Sequence, residues 1–322
     1  MGDGAVTHIR VRVPGKVNLF LGVRGVRADG YHDIVSVLQT VSIHDTILAR
    51  LDGKAVSAHP AARRFMELAF TVDGVVDGSV PVNGDNLAVR AARALMAESG
   101  VGTAPHTDDQ DVPITRLHLT KRIPVAAGMA GGSADAAGAL IALNRLWESE
   151  LDRGELRDLA GLLGADVPFC IMGGTALATG TGTSTAQVLT RGVYHWVVGI
   201  TDRSLSTPEV YRAFDEVSGP SDVEPDAVLQ ALRTGDAEAL GAALHNDLEV
   251  AAVHLLPDLA ERRQAMLDAG ALGAMVSGSG PTLVALAATA QDANAMAERL
   301  ASDFDRVEVA ISPAGGPELA QR

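Results

Sequence analysis

The sequence predicts an α+β protein built as two domains, on three observations. Near its start Ile9, Val11 and Val13 alternate with His8, Arg10 and Arg12, the period of a strand with one buried face. A strand pattern over 114–119, a glycine-rich turn over 124–135 and a helical pattern through Trp147 then follow in sequence. From His195 a second set of strands and helices begins, and a length of 322 residues suits one large or two ordinary domains. The change of domain is expected near 185–195, giving domains at 1–188 and 189–322.

Pro14-Gly15 interrupts the first strand and Lys16 to Leu21 resumes it, which predicts a bulge that re-aims side chains. Asp29-Gly30 marks a turn, and 34–48 reads as further strand. Residues 52–64 and 100–113 are loop-like, the second polar enough to predict mobility. Between them Asp85-Asn86 leads into a helix over 87–99, with either residue as its cap. After the glycine turn, Leu140, Ile141, Leu143, Leu146 and Trp147 recur at helical spacing. A second helix spans 155–163 and is ended by Gly164-Ala165-Asp166-Val167-Pro168, and Gly173-Gly174 turns into a strand near 175–180. In the second half, 195–200 reads as strand and 228–232, 239–244 and 256–267 as helix. Strands at 274–277 and 282–286 flank the turn Gly278-Ser279-Gly280-Pro281, followed by a helix at 290–301 and a last strand at 306–311. The tail from Pro313 is expected to fray.

Composition excludes several classes. The chain is 47% hydrophobic and 20% charged, as globular domains are. No apolar run approaches the ~20 residues of a spanning helix, and no signal-peptide pattern opens the chain, so no membrane partner is expected. The single Cys170 lies in the apolar run 167–172, reads as core rather than nucleophile, and fits a reducing cytoplasm. A net charge of −14 disfavours nucleic acid as a partner, while a small, locally positive site for an anionic substrate remains open. Lysine occurs only at 16, 54 and 121, which draws attention to each.

The glycine turn carries the first chemical signal. Pro124, Val125, Ala126, Ala127, Gly128, Met129, Ala130, Gly131, Gly132, Ser133 and Ala134 run straight into a helix. Free N–H groups and the positive dipole end of that helix would face an anion. No lysine follows Gly132, so this is no Walker A loop, and the spacing Gly128-x-x-Gly131-Gly132 is not the dinucleotide fingerprint. A tight turn with close helix packing is the other reading of the same residues. Asp166 sits between a glycine and a proline beside apolar residues, where a carboxylate can be tuned for proton transfer, although a turn or cap role suits it equally. Lys16, beside Asn18 in the broken strand, could stabilise charge on a transferring phosphoryl group or support a carboxylate, or could simply be a solvated strand end. Tyr31 and His32 follow a turn in a chain with 3% aromatic residues, and could stack on and hydrogen-bond to a ligand base. The Ser277–Pro281 turn could approach an anion through its backbone or be a plain hairpin. His44, His118, His245 and His254 show no paired ligand spacing, so no metal is assigned to them.

Five segments in order, Pro14–Leu19, Asp29–His32, the 124–135 loop, Leu163–Pro168 and Ser277–Pro281, together resemble the GHMP kinase superfamily. The resemblance extends from about residue 9 to about residue 312. It implies a ribosomal-protein-S5-like N-terminal domain, a ferredoxin-like C-terminal domain and an active site between them. It implies ATP, with Mg²⁺ carried mainly by the nucleotide, phosphorylating the 2-hydroxyl of a small molecule, a cytidyl diphospho-methylerythritol. By matching motifs, Asp166 would take the hydroxyl proton, Lys16 would orient Asp166, and residues 124–134 would wrap the phosphates. His32 would read the cytosine edge, Tyr31 and Tyr211 would sandwich its ring, and Asn18 and Thr207 would lie at the substrate. Alanines at 126, 127 and 130 stand where the family carries a run of glycines and a leucine, and Ser133-Ala134 stands in place of a serine pair. Their methyl groups are expected to limit the approach of a phosphate. Homoserine, mevalonate or galactose kinases are the nearest alternatives, opposed by the Asp29–His32 segment. An oxidoreductase is opposed by the loop spacing, and an S5-like RNA-binding module by the charge.

Overall fold

The computed structural model describes residues 8–52, 65–74, 80–100, 102–103 and 114–320. Most of the two loop-like segments, 52–64 and 100–113, lies outside them. Strand β1 (His8–Val26) and strand β2 (His32–Asp52) form one long antiparallel hairpin. Its register shifts between Pro14 and Gly15, again between Asn18 and Phe20, and again between Val23 and Gly25. The first two shifts bracket Lys16 and Asn18, so the expected bulge is there and a second follows it.

Strand β3 (Phe65–Gly74), unrecognised in the sequence, runs parallel to β5 (Ile114–Lys121), with the two-residue β4 (Gly102–Thr103) on its far side. Strands β6 (Thr175–Gly180) and β7 (Ser184–Gln187) extend the sheet from β2. Helix α1 (Leu87–Ser99) starts at Asn86, whose side chain accepts from Ala88 N–H. Helix α2 (Gly131–Trp147) lies directly on the β1–β2 hairpin. Gly138 permits this, because a Cβ there would come 2.5 Å from Val13 and 2.9 Å from Ile47. Helix α3 (Arg153–Gly161) opens with a capping box between Asp152 and Glu155.

The segment read as the end of that helix begins another. Val167–Met172 is a short helix, α4, with Asp166 at its N-cap and Pro168 in its first turn. Proline ends a helix from within but suits the first turn, where its missing N–H is not needed.

A second sheet holds β8 (Tyr194–Ile200), β10 (Gly273–Val276), β11 (Leu283–Ala287) and β12 (Arg306–Ser312) in the order β10-β11-β8-β12, all antiparallel. Its helices are α5 (Thr207–Val217), α6 (Asp226–Thr234), α7 (Ala237–Ala243), α8 (Glu249–Leu255), α9 (Asp258–Asp268) and α10 (Ala290–Arg299). The single helix expected over 256–267 starts at Asp258, after Pro257, and α8 precedes it. Trp196 and Val198 bury one face of β8 with Val228, Leu232 and Leu240. Val197 buries the other with Val210, Phe214 and Leu259. Each such side chain contributes roughly 1.5–3 kcal/mol by leaving water.

Two strands from the second half return to the first sheet. Strand β9 (His245–Asn246) pairs in parallel with β1, and β13 (Glu318–Leu319) pairs antiparallel with Val11 and Arg12. The tail therefore does not fray through residue 320. Its backbone is held by Thr40 and Arg10 as well as by β1. Among the described residues no helix is long and apolar enough to cross a membrane.

Candidate active site

A cavity of about 840 Å³ opens where the two sheets meet. Each side of it is built by a separate local feature of the chain. Lys16 and Asn18 point the same way from β1, two residues apart. Lys16 is only 5% exposed, so its charge must be met inside the protein. Its Nζ donates to Asn18 Oδ1 at 2.6 Å and lies 3.8 Å from Asp166 Oδ2. Asn18 Nδ2 donates to Ser36 Oγ at 2.8 Å, and that hydroxyl donates to Phe20 O at 2.7 Å. The chain of bonds fixes the lysine against the β1–β2 hairpin.

Asp166 holds the N-cap of α4 without capping it, so its carboxylate, 34% exposed, is left to the cavity. Behind it Val167, Phe169 and Cys170 are buried. Burial pushes the Cys170 thiol well up, with the Asp166 charge adding to it, which fits an inert core residue.

The glycine-rich loop forms the opposite wall. Ala126, Ala127, Gly128, Ala130, Gly131, Gly132 and Ser133 line the cavity. Met129 and Ala134 are buried in the core and Pro124 is also buried, while Val125 is half-buried outside the lining. Met129 serves through its backbone, its carbonyl accepting from Lys16 N–H at 3.1 Å. Helix α2 has no side-chain cap, and its first turn closes with Ala134 N–H donating to Ala130 O. The N–H groups of Gly131, Gly132 and Ser133 precede that bond and are available to an anion. Ala126 and Ala130 both hold left-handed backbone, at φ 51° and 55°.

Under this first turn lies a buried charge cluster that the sequence did not reveal. Lys121 Nζ donates to Asp45 Oδ2 and, at 2.9 Å, to Asp135 Oδ2. Asp45 Oδ1 accepts from Arg122 N–H at 2.6 Å and Ile123 N–H at 2.9 Å. Asp45 thus grips the chain where it enters the loop, and Lys121 carries the grip to α2 where the chain leaves it.

The late glycine turn meets the early one. A Cβ on Gly128 would sit 1.9 Å from Ser277 O, so the two backbones touch. Asn246, unrecognised in the sequence, secures the later turn by donating to Val276 O and Gly278 O, both at 2.8 Å. Gly278 and Ser279 line the cavity, and Ser279 Oγ lies 2.9 Å from Thr207 Oγ1.

The last wall joins the 27–32 turn to α5. Arg27 pairs with Asp29 and Asp33, and Tyr31 N–H donates to Asp29 Oδ1 at 3.1 Å. Tyr31 lines the cavity mouth and is 67% exposed. Tyr211 lines the same cavity from α5. Its ring stacks on His32, with centroids 4.7 Å apart and planes 29° from parallel. Burial, with the Asp166 charge second, pushes the Tyr211 hydroxyl up to about 12, so it stays a neutral donor. Arg212, Asp215, Thr181 and Gly182 also line the space and were not singled out by sequence.

Comparison with known proteins matches this geometry to a family. The family described as GHMP kinases N terminal domain matches residues 86–174, and that described as GHMP kinases C terminal matches 228–306. The chain is 46% identical to 4-diphosphocytidyl-2-C-methyl-D-erythritol kinase of Salinispora tropica, over 95% of this chain and 90% of that one. It is 45% identical to the kinase of the same name from Streptomyces avermitilis, over 96% and 98%. The chain belongs to the 4-diphosphocytidyl-2-C-methyl-D-erythritol kinase family of GHMP kinases. The crystal structure of a 4-(cytidine 5'-diphospho)-2C-methyl-D-erythritol kinase superposes with a TM-score of 0.76 at 32% identity, covering 95% of this chain and all of that one. For this GHMP kinase the N-terminal match spans α1, the loop, α2 and Asp166, while the C-terminal match contains the Ser277–Pro281 turn.

Proposed function

We propose that the chain catalyses ATP-dependent phosphorylation of the 2-hydroxyl of 4-diphosphocytidyl-2-C-methyl-D-erythritol, a step of non-mevalonate isoprenoid precursor synthesis. The observation that carries the reading is the convergence, in one cavity, of Lys16 and Asp166 with the uncapped start of α2. Asp166 accepts the proton of the substrate hydroxyl as its oxygen bonds to the γ-phosphorus and the bond to the β-phosphate oxygen breaks. Lys16 orients Asp166 and offsets negative charge at the transferring group. Backbone N–H groups of Gly131, Gly132 and Ser133 hold phosphate oxygens, and the rest of 124–134 shapes that cradle. Phosphoryl transfer asks the protein mainly for such positioning and charge stabilisation.

Mg²⁺ is assigned to the phosphates of ATP and to water, where it would neutralise their charge. His32 and Tyr31 take the cytosine, with Tyr211 and Thr207 on the α5 side and Asn18 at the polar groups of the substrate. We place the boundary between the ATP-binding and second domains at 188/189, because β7 belongs to the first sheet and β8 to the second. A coupled ADP-release assay across the cytidyl substrate, homoserine and mevalonate tests the reading. Turnover with the cytidyl substrate is expected, and turnover confined to another alcohol would overturn it.

A further inference from the structure

Helix α5 presents Thr207, Tyr211 and Asp215 at successive intervals of four residues, which puts them on one face. All three line the cavity. Tyr211 and Asp215 both act on one partner, His32, which reaches them from the start of β2 within the same wall of the site. Tyr211 covers a face of the imidazole, and Asp215 Oδ1 lies 2.8 Å from its Nε2. The His32 side chain is 10% exposed, so its ring is held rather than free to turn. Among the described residues its Nδ1 has no hydrogen-bond partner.

We infer that Asp215 is a positioning residue that sets the tautomer of His32 and through it the preference for cytosine over uracil. The inference rests on the proposed reading of His32 as a contact of the base. A carboxylate accepts and does not donate, so in the neutral imidazole the proton sits on Nε2 and Nδ1 keeps its lone pair. The edge of cytosine carries one donor, the 4-amino group, beside the acceptors N3 and O2. An accepting Nδ1 therefore meets the 4-amino group. Uracil places a carbonyl oxygen at that position, and two acceptors would face each other without a proton between them. A site built around a donor rejects the analogue that lacks it, because its own polar atom is left unpaired.

The test compares equilibrium binding of CDP and UDP to the wild-type chain and to Asp215→Ala and Asp215→Asn, with steady-state kinetics beside it. The wild-type protein is expected to bind CDP at least about tenfold more tightly than UDP, the equivalent of one hydrogen bond. Asp215→Ala is expected to bring the ratio near unity by weakening CDP, with KM for ATP and the melting temperature unchanged. In Asp215→Asn the amide can either accept from or donate to Nε2, so an intermediate ratio is expected. An undiminished preference for CDP in Asp215→Ala, an equal loss of both nucleotides, or no preference in the wild-type protein would each overturn the inference. Failure of the proposed reaction is distinct, since it would show as turnover of another alcohol irrespective of Asp215.

Discussion

Lys16 Nζ stands 3.8 Å from Asp166 Oδ2, an ion-pair contact too long for a hydrogen bond. The short bond of the lysine goes instead to Asn18, and its remaining protons face the cavity that Asp166 also faces. A substrate oxygen on the cavity side of the pair can lie within hydrogen-bond reach of both charges, as proton transfer to Asp166 requires.

Asp166→Asn removes the acceptor and keeps the shape. It is expected to lower kcat by about 10²–10⁴, the usual worth of a general base. Lys16→Ala should also lose most of kcat, and Lys16→Met separates lost charge from lost packing at this buried position. ATP binding, measured by titration, should persist in all three. Near-normal turnover of Asp166→Asn would remove it as an essential base.

The two carboxylates around Lys121 are not equivalent. Asp45 accepts from two backbone N–H groups as well as from the lysine, whereas Asp135 Oδ1 is buried and receives no hydrogen bond from any described group. Burial first, then the nearby Asp45, raises the Asp135 carboxyl well above the ordinary carboxylate range, against the pull of Lys121. A raised folded value gives stability that is full below the unfolded value, about 3.9, and is lost as pH rises through the folded one. Asp135→Asn should flatten that decline with pH in urea unfolding and leave the fold intact. Asp45→Asn should destabilise by about 3 kcal/mol, since the amide oxygen can accept from the two backbone donors while its NH2 group faces the buried Lys121 cation without pairing it. Equal effects of the two substitutions would refute the asymmetry.

Local chemistry made much of this molecule legible. Alternation exposed β1, Pro14-Gly15 exposed its first register shift, and Asn86 its cap. What escaped depended on partners far along the chain. The two residues of β13 are a strand only because Val11 and Arg12 pair with them. Asp215 matters through His32, 183 positions away, and Lys121 through Asp45, 76 positions away. Helix α4 was hidden for a different reason, since Pro168, two residues after Asp166, reads equally as a stop or a first turn. The loop alanines were visible, but not that two of them hold left-handed backbone.

That backbone sets up opposite outcomes for substitutions two residues apart. Ala130 at φ 55° carries strain that glycine would not, of order 1 kcal/mol. Ala130→Gly should therefore hold or raise the melting temperature and hold or lower KM for ATP, because a methyl leaves the cradle. Gly128 at φ 73° is the reverse case. A methyl there meets Ser277 O at 1.9 Å, and the obstruction is backbone, which no rotamer can relieve. Gly128→Ala must part the two glycine turns, moving the N-terminal side of the phosphate cradle away from the Ser277–Pro281 turn. KM for ATP is expected to rise at least about tenfold, a loss of roughly 1.4 kcal/mol of binding, with a lower melting temperature. The position of Gly131, Gly132 and Ser133 on α2 is anchored separately through Asp135 and Lys121, so kcat at saturating ATP should fall less than KM rises. A wild-type KM in Gly128→Ala would mean that the contact between the turns does not shape the ATP site.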